Sequence, residues 1–238
     1  MKNRTFCTLL GTFSFLFLSS LTVFGQDQPM NETQKKETEN SKSEESLEKK
    51  AVEWAKSLEL NDNSKESAVT KIIAAHLTAV RDWHNDHPYT IVPDGINPVN
   101  GERLNKLHRQ MIADSAIPKS VHDSLMSGLH KYLTDDQVEK ILDKYTVGKV
   151  QFTMNGYKSI VPDLKPEEET KILAYLKQAR EQAIDYKNMN EISGIFEIYK
   201  TKCEQYLNSN GRNWHELFSA YVKAAKAKKE AEKNKQSH

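Results

Sequence analysis

Apolar residues recur at spacings of three and four along most of this chain, and none of its seven prolines interrupts such a run. A period near 3.6 is the signature of helices that bury one face. Leu47, Ala51, Trp54 and Leu58 open the series, followed by Val69, Ile72, Ile73, His76, Leu77 and Val80. Leu104, Leu107, His108, Met111 and Ile112 form a third stripe, and Val121, Leu125, Leu129 and Tyr132 follow Pro118. Val138, Ile141, Leu142 and Tyr145 come next. Three more stripes close the series: Ile172 to Ile184, Ile192 to Leu207, and Trp214 to Ala225. The prolines sit in linkers, loops or first turns, where a missing N–H does no harm. The expected fold class is therefore all-α: a single multi-helix bundle of about eight helices. One long loop, about 88–102, is rich in turn residues such as Pro93-Asp94-Gly95 and Asn97-Pro98.

Only Val150 to Val161 resists the pattern. Val150, Phe152 and Met154 alternate and Asn155-Gly156 is a hairpin signal, yet Val150, Met154, Tyr157 and Val161 also share a helical face. The helical setting favours a helix.

The termini are different in kind. Lys2 and Arg4 precede an apolar run from Phe6 to Phe24, and Val23-Phe24-Gly25 before Gln26 reads as a cleavable signal peptide over residues 1–25. The cysteine that lipid attachment would need at the end of that run is missing, because Cys7 lies at its start. The expectation is an exported periplasmic or extracellular protein with no integral membrane segment after cleavage. Residues 26–48, polar and charged, read as a disordered linker, 49–227 as the helical domain and 228–238 as a charged tail.

Cleavage would remove two positive charges and take the formal charge from +1 to −1, so nucleic acid is not an expected partner. It would also leave Cys203 alone on an apolar stripe, the place of a small buried hydrophobe.

Leu133-Thr134-Asp135-Asp136-Gln137 has the outline of a capping box, repeated more loosely at Leu164-Lys165-Pro166-Glu167-Glu168 and Leu60-Asn61-Asp62-Asn63-Ser64. The run Leu133 to Ile141 with Asp143-Lys144-Tyr145-Thr146, then Val161-Pro162-Asp163-Leu164, Glu167-Glu168-Glu169, Ala179-Arg180-Glu181-Gln182-Ala183 and Tyr206-Leu207, resembles exported bacterial domain-of-unknown-function family 3826. The likeness covers roughly Trp54 to Phe218 and departs at Arg212-Asn213, where Tyr-Asp is the expected pair. Membership would imply a link to polysaccharide-utilisation gene clusters, and it transfers no catalytic residue. The Leu-Thr-x-x-Gln element also looks like that of helical periplasmic stress chaperones.

The densest chemistry lies at Arg81, Asp82, Trp83, His84, Asp86, His87 and Tyr89, where the second helix ends and the long loop begins. Three readings fit: a metal site on His84 and His87, a sugar site with Trp83 and Tyr89 as stacking faces, or a capped helix end with no ligand. The His-Glu-x-x-His spacing of zinc enzymes is absent, so no metal and no cofactor is assigned. Arg180 interrupts an apolar stripe and needs a carboxylate, with Glu181 and Asp185 near in sequence, or a bound anion. His76, His108 and His122 would make a shared site only if their helices face one another.

These residues suggest an exported binding or accessory protein with an acidic oligosaccharide or a protein as partner, and the family resemblance implies that it serves glycan utilisation. Two alternatives stand beside it: an enzyme acting on pectic oligosaccharides, and a chaperone-like protein.

Overall fold

A computed structural model describes residues 32–98 and 101–236, with side chains over 41–98 and 101–233. The signal-peptide reading therefore lies outside the described residues. The chain divides into Met1–Glu39 and Asn40–His238. In the first unit residues 32–39 are helical; the cores and sites below belong to the second.

Among the described residues there are nine α-helices and no strand beyond one isolated bridge, Ile96 with Arg103. They are α1 (Glu32–Lys56), α2 (Asn63–Asp86), α3 (Lys106–Asp114), α4 (Lys119–Tyr132), α5 (Asp135–Tyr145), α6 (Lys149–Ile160), α7 (Pro166–Ala183), α8 (Met189–Ser209) and α9 (Trp214–Gln236). α1 begins inside the stretch expected to be disordered. Glu and Lys are good helix formers even where nothing is buried, and an i,i+4 pair, Glu45 with Lys49 at 2.6 Å, supports the turn. No described helix is long and apolar enough to cross a membrane.

α6 resolves the ambiguous segment. Val150, Met154, Tyr157 and Val161 are buried, while Phe152, a member of the alternating set, is 78% exposed. The helical face wins because it buries four apolar side chains together, each worth roughly 1.5–3 kcal/mol. Asn155, half of the hairpin signal, instead accepts a hydrogen bond from Gln151 one turn earlier at 2.7 Å.

The stripes assemble into two cores. One holds Ala51, Val69, Ile73, Leu125, Leu129, Ile141 and Ile184, from α1, α2, α4, α5 and the turn after α7. The other holds Met154, Tyr157, Ile172, Leu176, Ile195, Phe196, Cys203 and Leu207, from α6, α7 and α8. Cys203 is a free thiol at 0% exposure, and burial pushes it up to about 11.

The long loop is folded back rather than loose. A short 3-10 turn, Tyr89–Ile91, leads into it. Arg109 of α3 then donates from Nε to the Val92 carbonyl at 2.9 Å and from Nη1 to Asp94 at 2.6 Å.

Candidate functional site

The end of α2 is the place to begin. Arg81 turns toward α1 and its own neighbour: it pairs with Asp82 at 2.7 Å and approaches Glu44 at 3.6 Å. Trp83 donates its indole N–H to the Ala113 carbonyl at 3.3 Å, and His87 stacks on its ring with centroids 3.6 Å apart. His87 Nδ1 in turn donates to the Trp83 carbonyl at 2.8 Å, a second bond to an oxygen that already accepts the His87 backbone N–H at 2.9 Å. Tyr89 lies beneath two cations of α3, Lys106 at 5.0 Å and Arg109 at 5.4 Å. Asp86 is exposed. Each of the two rings, Trp83 and Tyr89, thus already has a partner within the protein.

His84 alone among these points to a second polar centre. Its Nδ1 lies 2.8 Å from Asp114 of α3 and 3.6 Å from Glu191 of α8, and both carboxylates are 2% exposed. The amide of Gln110 donates to the other Asp114 oxygen at 3.0 Å and to the His87 carbonyl at 3.0 Å, while its oxygen accepts the Tyr89 N–H at 2.8 Å. Asn188 holds Glu191 through its side-chain amide at 2.7 Å. Burial and the neighbouring Asp114 charge outweigh His84 and raise the Glu191 carboxyl above its ordinary range.

Arg180 is 2% exposed and makes a structural ion pair, but its partners are Glu139 and Asp143 of α5, each at 2.6 Å. Glu181 and Asp185, its neighbours in sequence, turn the other way. Asp185 bridges two imidazoles: His76 Nε2 at 3.0 Å and His122 Nδ1 at 2.9 Å, with Glu181 3.7 Å from His122. So His76 and His122 do converge. His108 does not join them, and its buried Nδ1 has no hydrogen-bond partner.

A cleft of about 980 Å³ lies elsewhere, between α1, α5 and the turn from α7 into α8. Lys50, Lys140, Lys144 and Lys187 line it against a single carboxylate, Asp143, which is held by Arg180. Trp54, Tyr145 and Tyr186 supply aromatic walls; the first two meet edge to face at 4.8 Å. Lys187 is steadied by Asn85 at 2.6 Å. Gly148, in the left-handed region at φ 67°, turns the chain into α6 at the rim. The positive ends of α6 and α8 open on this side, since Gly148 and Met189 both line the cleft.

None of these lysines stands out in sequence, because surface lysines are everywhere in this chain, and Trp54 and Tyr145 read as core. Asp114 and Glu191 were equally silent. The one usable signal was Asn188-x-x-Glu191, a capping box in outline, which the structure shows formed.

A second groove, about 620 Å³, runs between α6, α8 and α9, lined by Phe152, Tyr157, Trp214, Phe218 and Tyr221 with Glu197 and Glu204.

No curated protein matches the chain. Arg212, which stands where the resemblance expects another residue, clamps the buried Glu168 with two bonds of 2.8 and 2.7 Å and reaches Asp163 at 3.0 Å. Asn213 caps α9 by accepting the Glu216 N–H at 3.2 Å. The departure is thus absorbed by the fold around it. The model described as "Protein of unknown function (DUF3826)" matches residues 44–227, so the chain belongs to that family.

Proposed function

We propose that this is an exported, ligand-binding accessory protein of glycan utilisation, and that it holds an acidic oligosaccharide in the lysine-lined cleft. The observation that carries this reading is the charge of the cleft: four lysines and one carboxylate line it in a chain whose formal charge is only +1. Like charges gathered in a concavity with aromatic walls favour an anionic ligand with apolar faces. A uronate oligomer offers both, with carboxylates for the lysines and a C–H face for the half-buried Trp54. The volume suits several sugar rings, at the upper end of the ~300–1,000 Å³ of small-molecule sites. The polysaccharide context that the family resemblance implies selects sugar acids from among other anions.

Calorimetric titration with de-esterified oligogalacturonides, set against neutral oligosaccharides of equal length, tests the reading. Saturable binding of the acidic oligomers only is expected, weakening as salt is raised. At a hundredfold excess over Kd, the acidic ligand should stabilise the fold by about 2.7 kcal/mol. Lys140→Ala with Lys144→Ala should reduce affinity at least tenfold, about 1.4 kcal/mol, without lowering thermal stability. Equal binding of neutral and acidic sugars would refute it.

The exposed aromatic groove between α6 and α9 supports a second reading, a protein partner. Phe152→Ser with Phe218→Ser would abolish partner capture and leave the sugar titration unchanged.

A further inference from the structure

His84, Asp114 and Glu191 come from three different helices, α2, α3 and α8, and one ligand atom from each lies within 4.8 Å of the others. The separations from His84 Nδ1 are 2.8 Å to Asp114 and 3.6 Å to Glu191. Donor atoms bound about 2.0–2.2 Å from one shared dication stand roughly 2.9–3.5 Å apart, and the two separations bracket that range. Small side-chain adjustments would bring all three onto one ion.

Charge points the same way. Two carboxylates at 2% exposure face a single imidazole, so even a protonated His84 leaves a buried negative charge. A dication with two carboxylates and a neutral imidazole is charge-balanced.

The carboxylates are also held in place from outside. Gln110 occupies one Asp114 oxygen and leaves the other for His84, and Asn188 orients Glu191. Gln110 is itself anchored at the His87 carbonyl and the Tyr89 N–H, so the polar residues at the end of α2 become the support of a site deeper in the protein. Outer partners of this kind fix ligand orientation in metal centres.

We propose that His84, Asp114 and Glu191 bind a first-row divalent transition-metal ion, of the Zn²⁺ or Mn²⁺ class. The imidazole disfavours Mg²⁺ and Ca²⁺, which prefer all-oxygen shells. Three protein ligands leave at least one position for water or for a ligand group. This inference is independent of which sugar, if any, occupies the lysine cleft.

The test uses the purified chain, stripped with a chelator and titrated with ZnCl₂ and MnCl₂ by calorimetry, with Co²⁺ absorption reporting coordination. One ion per chain and a rise in melting temperature are expected. His84→Ala and Glu191→Gln should each weaken binding by more than 100-fold, beyond the ~10–100-fold expected from loss of an outer partner such as Gln110. Should His84→Ala fail to fold, Glu191→Gln, which keeps the shape and the Asn188 contact, carries the test by itself. His122→Ala is the control, because the His76–Asp185–His122 set is the competing cluster; it should bind as the parent does. No uptake by the parent chain, undiminished uptake by Glu191→Gln, or loss in His122→Ala alone would each overturn the proposal.

Discussion

At the scale of single residues, Arg180 and His84 take partners that their sequence neighbours do not reveal. Arg180 passes over Glu181 and Asp185 for Glu139 and Asp143 on another helix. His84 is one turn from His87, yet its partners lie on α3 and α8. The need of each buried polar group for a partner was legible, since an Arg or His on an apolar stripe must be satisfied somewhere. The identity of the partner was not, because it depends on helix packing and not on local spacing.

Asp185 gives this a measurable form. Burial pushes its carboxyl up, but hydrogen bonds from His122 and His76 prevail and hold it below the ordinary carboxylate range. His122 moves the other way: its bond to Asp185 raises it, against burial, with Glu181 and Asp123 adding to the rise. The buried Tyr145 ring packs edge-on against His76 and completes the surroundings. A raised histidine contributes stability in full below its unfolded pKa, about 6.5, and loses it as pH climbs through the folded value. A lowered aspartate contributes above its unfolded pKa, about 3.9, and loses it as pH falls through the folded value. The pair should therefore stabilise most between about pH 4 and pH 6.5. Denaturant unfolding of Asp185→Asn and the parent across pH should show their largest difference in that window, shrinking as pH rises above about 6.5 and again as it falls below about 4. A gap that does not vary with pH would show that Asp185 acts through shape alone.

At the scale of elements, the helices were the most readable part, and the reason is local. A capping box involves residues three apart, so the sequence contains the whole device. Thr134 Oγ1 accepts the Gln137 N–H at 3.4 Å, and Gln137 reaches back to the Thr134 N–H at 3.1 Å. Thr134→Ala should cost about 1 kcal/mol, read as a lower denaturation midpoint with an unchanged slope. α6 was harder because period two and period 3.6 both fitted its apolar residues. What decided was which face could be buried, a fact supplied by α7 and α8. α1 was harder still, for its polar half carries no apolar stripe, and propensity is a weak guide where packing is silent.

At the scale of the whole molecule, two cores meet where α7 ends: Ala183 belongs to one and Ile184 to the other. The lysine cleft and the His84 centre both border this junction, through Tyr186, Lys187 and Asn188 on one side and Glu191 on the other. No periodicity argument could have located it, because clefts arise from how cores abut. The tail is simpler. From residue 223 to 233 every side chain is exposed, so ending the chain at Ala227 should leave unfolding free energy within about 0.5 kcal/mol. A larger loss in thermal melts would mean that the last turns of α9 are held by something.

Val147 sits on the rim of the cleft with φ 54° and 72% of its surface exposed. A β-branched residue in that conformation is strained by roughly 1–3 kcal/mol. Val147→Gly should then raise the melting temperature while weakening the acidic ligand, if those methyls touch it. A laboratory campaign for heat tolerance would find this position early and blunt the protein in the process. Stability engineering at Val147, followed by a binding assay, would show whether the rim trades durability for grip.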